Sequence, residues 1–386
     1  MALSLARRGY GLTSPNPMVG AVLVKHGKII GTGWHHAAGQ PHAEIEAIRD
    51  ARHRGKGTKG ATLYVTLEPC CTVGRTPPCT EAIIAAQITR VIAGCSDPNP
   101  QHCGKGFTIL RRAGIAASTN ALGKECETLN EAFSHWILHR TPFVTVKAAM
   151  TLDGKIATTS GESKWITGTL ARAHGMRLRQ GADAILVGIN TILADDPSLT
   201  VRTVKKETER TLRSAPLTLR QPRRIVLDAV ARTPLTAKVL NNEGMQTTTI
   251  VVSKKAPNSR VSALEKSGAR VLVLPTDVSS MGPHPSLDLC SLLKVLGAEN
   301  VTSLLIEGGG EVNASFLQQG LAQRIAFFYA PKVVGGRYSF SGVGGKGARN
   351  LNKAIRLNDV TWRKLGPDLL LTARVLTNQN KNGRTF

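Results

Sequence analysis

Residues 40–47 read QPHAEIEA, residues 61–67 read ATLYVTL, and residues 68–79 read EPCCTVGRTPPC. Pro41 favours a helix start, which places His42 and Glu44 in the first turn of a helix HAEIEAIRDAR over 42–52. ATLYVTL reads as a buried strand that ends at Glu68-Pro69-Cys70. His42, Cys70 and Cys79 are donor types that suit zinc, and three protein ligands leave a fourth tetrahedral position for water. Glu44, two residues beyond the histidine, is then placed to carry a proton. Cys70 follows Glu-Pro directly and is the expected ligand, with its neighbour Cys71 a competing donor.

Upstream, residues 2–10 read as a short helix. In TSPNPMVG (13–20) two prolines bracket Asn16, a place to present an amide to a planar substrate. VGAVLVK (19–25) and KIIGTGWH (28–35) alternate as a hairpin across His26-Gly27. Downstream, a helix near 78–87 precedes the strand ITRVIAGC (88–95), the turn-rich SDPNP (96–100) and a helix over 104–114. The strand IAAS (115–118) and one helix over 121–140 complete the unit. Strands alternating with helices predict an α/β sheet covered on both faces.

Pro142 prevents that helix from running on, so a second domain is expected over 142–386 after a first over 1–141. It opens with the strand FVTVKAAM (143–150), followed by the Gly- and hydroxyl-rich loop TLDGKIATTSGESKWITG (151–168). ARAHGMRLRQ (171–180) reads as a helix, and ADAILVGINTILADDPSLTVR (182–202) as a buried strand plus loop. Residues 203–222 are charged and Pro-punctuated, a surface excursion. RRIVLDA (223–229), TTTIVVS (247–253) and RVLVLP (270–275) read as strands with helices between. VTSLLIEGGGEVNASFLQQG (301–320) is a strand, a Gly-rich turn and a helix, whose N-terminal N–H groups make a phosphate cradle. A strand RIAFFYA (324–330) and a strand pair around LGPDLLLTARV (365–375) end the sheet, and 378–386 reads as a loose tail.

The 386 residues are 41% hydrophobic, without an apolar run long enough to span a bilayer or a signal-peptide pattern, so a cytoplasmic protein is expected. Seven cysteines, three of them clustered, suit a reducing compartment, with Cys95, Cys103 and Cys126 as buried apolar fillers. The net charge of +24 is dispersed: residues 1–141 hold 16 Lys and Arg against 9 Asp and Glu. With only 4% aromatics the sequence offers no stacking platform for single-stranded bases. A phosphorylated substrate is the expected partner, with neither nucleic acid nor membrane.

A His-x-Glu followed by Pro-Cys and a second Cys is the signature of zinc deaminases, although their cysteines commonly stand two residues apart and here eight intervene. GYGLTSPNPMVGAVLV, GWHHAAGQPHAEIEAI, YVTLEPCCTVGRTPPC and SDPNP…GKGF resemble the deaminase half of the bifunctional riboflavin-biosynthesis deaminase/reductase family. VKAAMTLDGKIATTSGESKWITG, ADAILVGINTILADDPSLTVR, LLIEGGG and YAPKVVGG resemble its reductase half. The resemblance implies a cytidine-deaminase-like three-layer α/β/α domain, then a dihydrofolate-reductase-like α/β domain; a homo-oligomer is expected. It implies one zinc per chain and hydrolytic deamination of 2,5-diamino-6-(5-phosphoribosylamino)pyrimidin-4(3H)-one, with Glu44 moving the proton. NADPH-dependent reduction of the ribosyl chain to 5-amino-6-(5-phosphoribitylamino)uracil follows.

By motif position, Asn16, Arg75, Thr76, Asp97 and Asn99 are implied substrate contacts in the first domain. Lys147, Ser163, Arg179, Leu199, Arg202 and Glu307 are those in the second, with Arg179 and Arg202 suited to the 5′-phosphate. Ala149, Trp165, Thr191, Asp195, Ala229, Gly309, Gly310, Glu311, Val312, Asn313, Ala314 and Ser315 would line the NADPH site. Three departures stand out. Cys71-Thr72 replaces the usual Ser-His, Ala229 replaces a frequent serine, and the chain starts closer to its first helix than the family does. Two alternatives are a tRNA or other nucleic-acid zinc deaminase with a basic binding domain, and an active deaminase joined to a non-catalytic reductase-like module.

Overall fold

A computed structural model describes residues 1–73, 77–119, 121–202, 220–241, 247–276 and 286–376. Arg75, Thr76, most of the expected excursion (203–219) and the expected tail lie outside the described residues. The chain divides between Thr141 and Pro142 into two compact units.

In the first unit, the hairpin pairs β1 (Gly20–Lys25) with β2 (Lys28–Trp34) across His26 (φ 50°) and Gly27 (φ 71°), the two left-handed positions of a tight I′ turn. β3 (Thr62–Leu67), β4 (Arg90–Cys95) and β5 (Ala116–Ser118) extend the sheet in the order β2-β1-β3-β4-β5, the last three parallel. The helices are α1 (Ala2–Ala6), α2 (Ala43–His53), α3 (Cys79–Ala85), α4 (Lys105–Arg112), α5 (Gly123–Leu129) and α6 (Glu131–His139). Ala47, Ile48, Ala51, Leu63, Val65, Ile83, Val91 and Leu110 form the core against which these layers close.

The seating of α2 depends on two glycines. A Cβ at Gly31 would stand 2.2 Å from the Ala47 carbonyl oxygen, and one at Gly33 would stand 2.3 Å from that of Ala43. Both lie on the same face of β2, so the helix backbone rests directly on the strand and carries His42 and Glu44 to the sheet's end. The single helix expected over 121–140 is instead two, broken at Asn130. Its side chain accepts from Met18 N (2.8 Å) and donates to Met18 O (2.9 Å), a paired contact that takes precedence over helix continuity. Cys103 is exposed rather than a buried filler, because it sits on the turn before α4; Cys95 and Cys126 are buried as expected.

The second unit is a nine-stranded sheet. Its strands are β6 (Phe143–Thr151), β8 (Ala184–Gly188), β9 (Arg223–Leu227), β10 (Thr249–Ser253), β11 (Arg270–Leu274), β12 (Ser303–Ile306), β13 (Arg324–Ala330), β15 (Leu357–Leu365) and β16 (Asp368–Val375), ordered β11-β10-β9-β8-β12-β6-β13-β16-β15. The first seven in that order run parallel, and the β15–β16 hairpin joins antiparallel. Continuous apolar stretches such as Ala184–Gly188, buried at all five positions, fit strands covered on both faces. The helices are α7 (Thr169–Gln180), α8 (Ile189–Asp195), α9 (Asn258–Lys266), α10 (Leu289–Ala298) and α11 (Gly310–Gln318).

Three local expectations change. The loop over 151–168 contains β7 (Lys155–Ala157), paired with β14 (Phe340–Ser341). Residues 189–195, expected as loop, form α8, whose Ile189 and Ile192 are buried. Between β9 and β10 the described residues hold only a 3-10 turn at Lys238–Leu240 rather than a helix. No helix among the described residues is long and apolar enough to cross a membrane.

Candidate functional site: a zinc-deaminase centre and a reductase cleft

In the first unit, three chain segments meet at the C-terminal end of β3. His42 is the N-cap of α2, Cys70 follows β3 after Glu68-Pro69, and Cys79 opens α3. The Nδ1 of His42 lies 3.3 Å from Cys79 Sγ and 3.4 Å from Cys70 Sγ, and the Cys79 N–H donates to Cys70 Sγ at 3.3 Å. All three donor atoms lie within 4.8 Å of one another. Donors of a tetrahedral zinc stand roughly 3.5–3.8 Å apart, given Zn–N and Zn–S lengths near 2.0–2.3 Å, so the set fits the ion. Electrostatics agree. Hydrogen bonds from Cys79 and then His42 pull the Cys70 thiol well down, and the bond with Cys70 raises the His42 imidazole. The sulfur anion is thus already held among proton donors whose place a dication takes. Cys71 is not in the cluster, and burial first, then the nearby Glu68 charge, raises its thiol.

Glu44 is 3% exposed and lies on a cavity of about 350 Å³ shared with His42 and Cys70. Burial, with the neighbouring Cys70 charge adding to it, pushes its carboxyl up to about 7. Asn16, Asp97 and Asn99 line the same cavity, so the structure brings these three expected contacts together with the metal set. Asn16 donates from Nδ2 to His35 Nε2 (3.1 Å), while His35 Nδ1–H donates to the Pro41 carbonyl (3.1 Å). Burial lowers the His35 pKa, which favours this neutral tautomer as a fixed prop for the amide. Thr72, one of the two departures beside Cys70, also lines the cavity, with Oγ1 3.4 Å from His102 Nδ1.

Replacing one ligand separates the two cysteine assignments. Cys79→Ser is expected to lose most of the zinc, and Cys71→Ser to keep one ion per chain, by elemental analysis of the purified protein. Full occupancy in Cys79→Ser would mean a different third ligand.

In the second unit, Lys147 and Ala149 stand on β6, Thr191 and Asp195 on α8 after β8, and Glu307 and Gly309 directly after β12, in neighbouring strands β8-β12-β6 of the sheet. Glu307, directly after β12, is forked by Arg179 from the end of α7, with Nε–Oε1 2.9 Å and Nη2–Oε2 2.7 Å. Lys147 on β6 approaches the same carboxylate, with Nζ 4.0 Å from Oε2. Burial alone would raise the Glu307 carboxyl, but Lys147 and Arg179 outweigh it and hold it at about 2. Arg179 also donates to the Thr200 carbonyl (3.1 Å), so most of its fork serves the protein. Of the two arginines expected at the phosphate, Arg202 is the one with an exposed side chain. Ser163 Oγ donates to Asp195 (2.9 Å) at the end of α8, joining an expected substrate contact to an expected cofactor contact. Trp165 is exposed, with the Arg172 guanidinium 4.7 Å from its ring centroid.

The Gly-rich turn after β12 leads into α11. Val312 is wedged there, so that a Cβ at Gly308 or Gly188 would lie within 2.8 Å of its side chain. At Gly310 a Cβ would meet the Ser341 oxygen at 2.2 Å, whereas at Gly309 it would meet nothing nearer than Thr191 Oγ1 at 4.0 Å. Two helix N-termini, at Gly188 and Gly309, therefore stand side by side above neighbouring parallel strands, with open space over Gly309. Such a cradle fits a nucleotide phosphate, while the Oδ1 of the buried Asn313 has no hydrogen-bond partner among the described residues.

Several expected contacts need correcting in kind. Asn313 and Ala314 are buried, so their side chains do not line an open groove, while the exposed Glu311 accepts from Gly345 N (3.1 Å). Leu199 is 2% exposed at φ 53°, packed among Ile185 and Val187, so only its backbone is available to a substrate. Ala149 packs beside Ala171 and Phe328. Ser315 Oγ donates back to the Glu311 carbonyl (2.9 Å), and the Ala229 carbonyl accepts from Ser253 N and Oγ at the end of β9.

Residues 1–95 match the cytidine and deoxycytidylate deaminase zinc-binding region, and residues 142–371 match the RibD C-terminal domain. The riboflavin biosynthesis protein RibD of Aquifex aeolicus is 44% identical over 371 residues, covering 96% of both chains. The chain belongs to the RibD family. Among solved structures, the Acinetobacter baumannii RibD superimposes with a TM-score of 0.82 at 36% identity, over 97% of each chain. A Thermotoga maritima diaminohydroxyphosphoribosylaminopyrimidine deaminase/5-amino-6-(5-phosphoribosylamino)uracil reductase gives 0.78 at 33%, again over 97% of each chain. A RibD kinship through both units does not favour the nucleic-acid alternative, which needs the second unit to be a different kind of domain.

Sequence reasoning missed three cavity residues. His35 lies beyond the zinc motif, and its role depends on a bond to Pro41 that only the folded hairpin brings near. His102 sits in a loop read only as turn-rich. Glu68 reads as part of Glu-Pro-Cys, yet it is 4% exposed and its carboxylate accepts from Asp97 N and Gly104 N (both 3.0 Å) and Gly106 N (2.9 Å). A glutamate before Pro-Cys at the end of an apolar strand was the available signal, since a buried carboxylate needs donors.

Proposed function

We propose that this chain catalyses two consecutive steps of riboflavin biosynthesis: hydrolytic deamination of the phosphoribosylated diaminopyrimidinone, then NADPH-dependent reduction of its ribosyl chain. The observation that carries the first step is the His42-Cys70-Cys79 set with Glu44 on one cavity. Bound to these ligands, zinc supplies a Lewis acid that makes water nucleophilic near neutral pH. The cavity floor excludes bulk water from Glu44, whose carboxyl holds the proton and delivers it to the departing ammonia. Asn16, propped by His35, presents its amide to the pyrimidine ring. Asp97 and Asn99 line the same cavity.

The second step rests on the Lys147-Glu307-Arg179 cluster beside the Gly309 cradle. Gly309, Gly310 and Thr191 at the paired helix N-termini would hold NADPH, whose chemistry there would be hydride donation. Glu307 holds Lys147 nearby, whose ammonium would donate to the sugar ring oxygen and give it a proton as the ring opens. Arg202 offers its guanidinium to the 5′-phosphate. Arg202→Ala is expected to raise the reductase KM about tenfold, as for a lost charge-assisted hydrogen bond, while ammonia release is unchanged. An unaltered KM would remove Arg202 from phosphate binding.

The test of the whole reading is one sample with three measurements: zinc per chain, ammonia released from the diaminopyrimidine ribotide, and NADPH consumed afterwards. One zinc with both activities is the expected result. Ammonia without NADPH oxidation would instead support a silent reductase module, with Ala229 the first position to restore to serine. The reading also carries a cytoplasmic homo-oligomer that does not bind nucleic acid; a monomer mass by light scattering would remove the oligomer.

A further inference from the structure

The deamination cavity has a wall that the proposed chemistry leaves unused. His102 lines it, half-buried, with Thr72 beside it, while Glu44 lies fully buried among the metal ligands. The loop bearing His102 is pinned on both sides of it. The Glu68 carboxylate holds the N–H groups of Asp97 before it and of Gly104 and Gly106 after it. Asp97 Oδ1 accepts from Asn99 N (2.8 Å), and the Asn99 carbonyl accepts from His102 N (2.8 Å). A Cβ at Gly106 would stand 2.3 Å from the Pro69 carbonyl oxygen, so this loop lies against the segment that carries Cys70. The backbone that carries the imidazole is thereby held in place relative to the segment of Cys70.

Three histidines line this cavity, and two have their ring nitrogens engaged. His42 faces two sulfurs, and His35 bridges Asn16 and the Pro41 carbonyl. His102 meets Thr72 Oγ1 at Nδ1 (3.4 Å), and among the described residues its Nε2 has no hydrogen-bond partner. Thr72 is exposed, which places this pair at the mouth of the cavity, away from the buried Glu44. A substrate whose reacting carbon sits at the metal ligands must direct its opposite end to the mouth.

We propose that His102, oriented by Thr72, is a substrate-binding residue of the deamination step that donates from Nε2 to the sugar-phosphate arm. This rests on the deaminase reading above. With the Thr72 hydroxyl as donor to Nδ1 the proton stands on Nε2, and the pair then presents one directed donor to an anionic or hydroxyl oxygen.

The test uses the full chain loaded with zinc. His102→Ala is expected to raise the KM for ammonia release about tenfold or more, the size of a lost hydrogen bond to a charged group, with kcat nearly unchanged. The Ki of ribose 5-phosphate against ammonia release should weaken in parallel, while zinc content and NADPH oxidation with the deaminated substrate stay at wild-type levels. Because position 72 is within hydrogen-bond reach of the ring, adding Thr72→His to His102→Ala should restore part of both constants. An unchanged KM and Ki in His102→Ala, or a loss of zinc in that variant, would overturn the assignment. A fall in kcat alone would also overturn it, by moving His102 to the reacting end. Wild-type protein that releases no ammonia would strike instead at the deaminase reading.

Discussion

Glu44→Gln should lower the rate of ammonia release by about 10²–10⁴-fold, the range for removing a positioned general acid–base group, with KM changed far less. The substitution keeps the shape of a side chain that is 3% exposed, so the helix α2 and its seating on Gly31 and Gly33 are preserved. His42, Cys70 and Cys79 are untouched, and zinc analysis should still find one ion per chain. NADPH oxidation with the pre-deaminated substrate should be at the wild-type rate, because that chemistry belongs to the other unit. Retained zinc with lost ammonia release is the pattern of a proton carrier. Normal ammonia release would remove Glu44 from the mechanism, and lost zinc would make it a structural neighbour of the ligands.

The second large effect is expected at Glu307, which lies buried between Lys147 and Arg179. Glu307→Ala leaves two cations without their shared anion. An uncompensated buried charge costs on the order of 3–5 kcal/mol, so the reductase unit should melt at a clearly lower temperature in calorimetry. Reductase turnover should fall with it, because Lys147 loses the group that directs it. Deamination at a temperature below the new transition should be unaffected.

The same carboxylate makes a signed prediction with pH. Its pKa is depressed from the ordinary 4.5 to about 2, so the stabilisation is fully present above pH 4.5 and is lost as pH falls towards 2. The wild-type reductase unit should therefore lose stability across that window, and Glu307→Ala should show a flatter profile there. Identical slopes for the two proteins would mean that the Lys147-Glu307-Arg179 cluster contributes nothing to acid sensitivity.

Much of the architecture was legible in the chain. Alternating apolar residues across His26-Gly27 define a hairpin because only left-handed φ values close such a turn. Pro142 separates the units because a helix cannot continue through it. The zinc ligands were legible for a chemical reason: a histidine and two cysteines with a glutamate at fixed offset have few other uses. Where the reading failed, a distant contact outweighed a local preference. Helical propensity runs unbroken through 121–140, and Asn130 breaks it to satisfy Met18, 112 residues earlier in the chain. Asn313, Ala314 and Leu199 were expected as cofactor or substrate contacts from their motifs, and their burial was not legible, since a motif does not say which way a residue faces.

The sequence by itself determined the two units, the strand-helix alternation within each, and the donor set His42, Cys70 and Cys79, because these follow from local periodicity, backbone stereochemistry and ligand chemistry. Only the tertiary structure decided which groups share a site. It placed Asn16 and His102 on one cavity and turned Arg179 onto Glu307. Those outcomes depend on where separate segments meet at the ends of the sheets, and spacing along the chain carries no record of that distance.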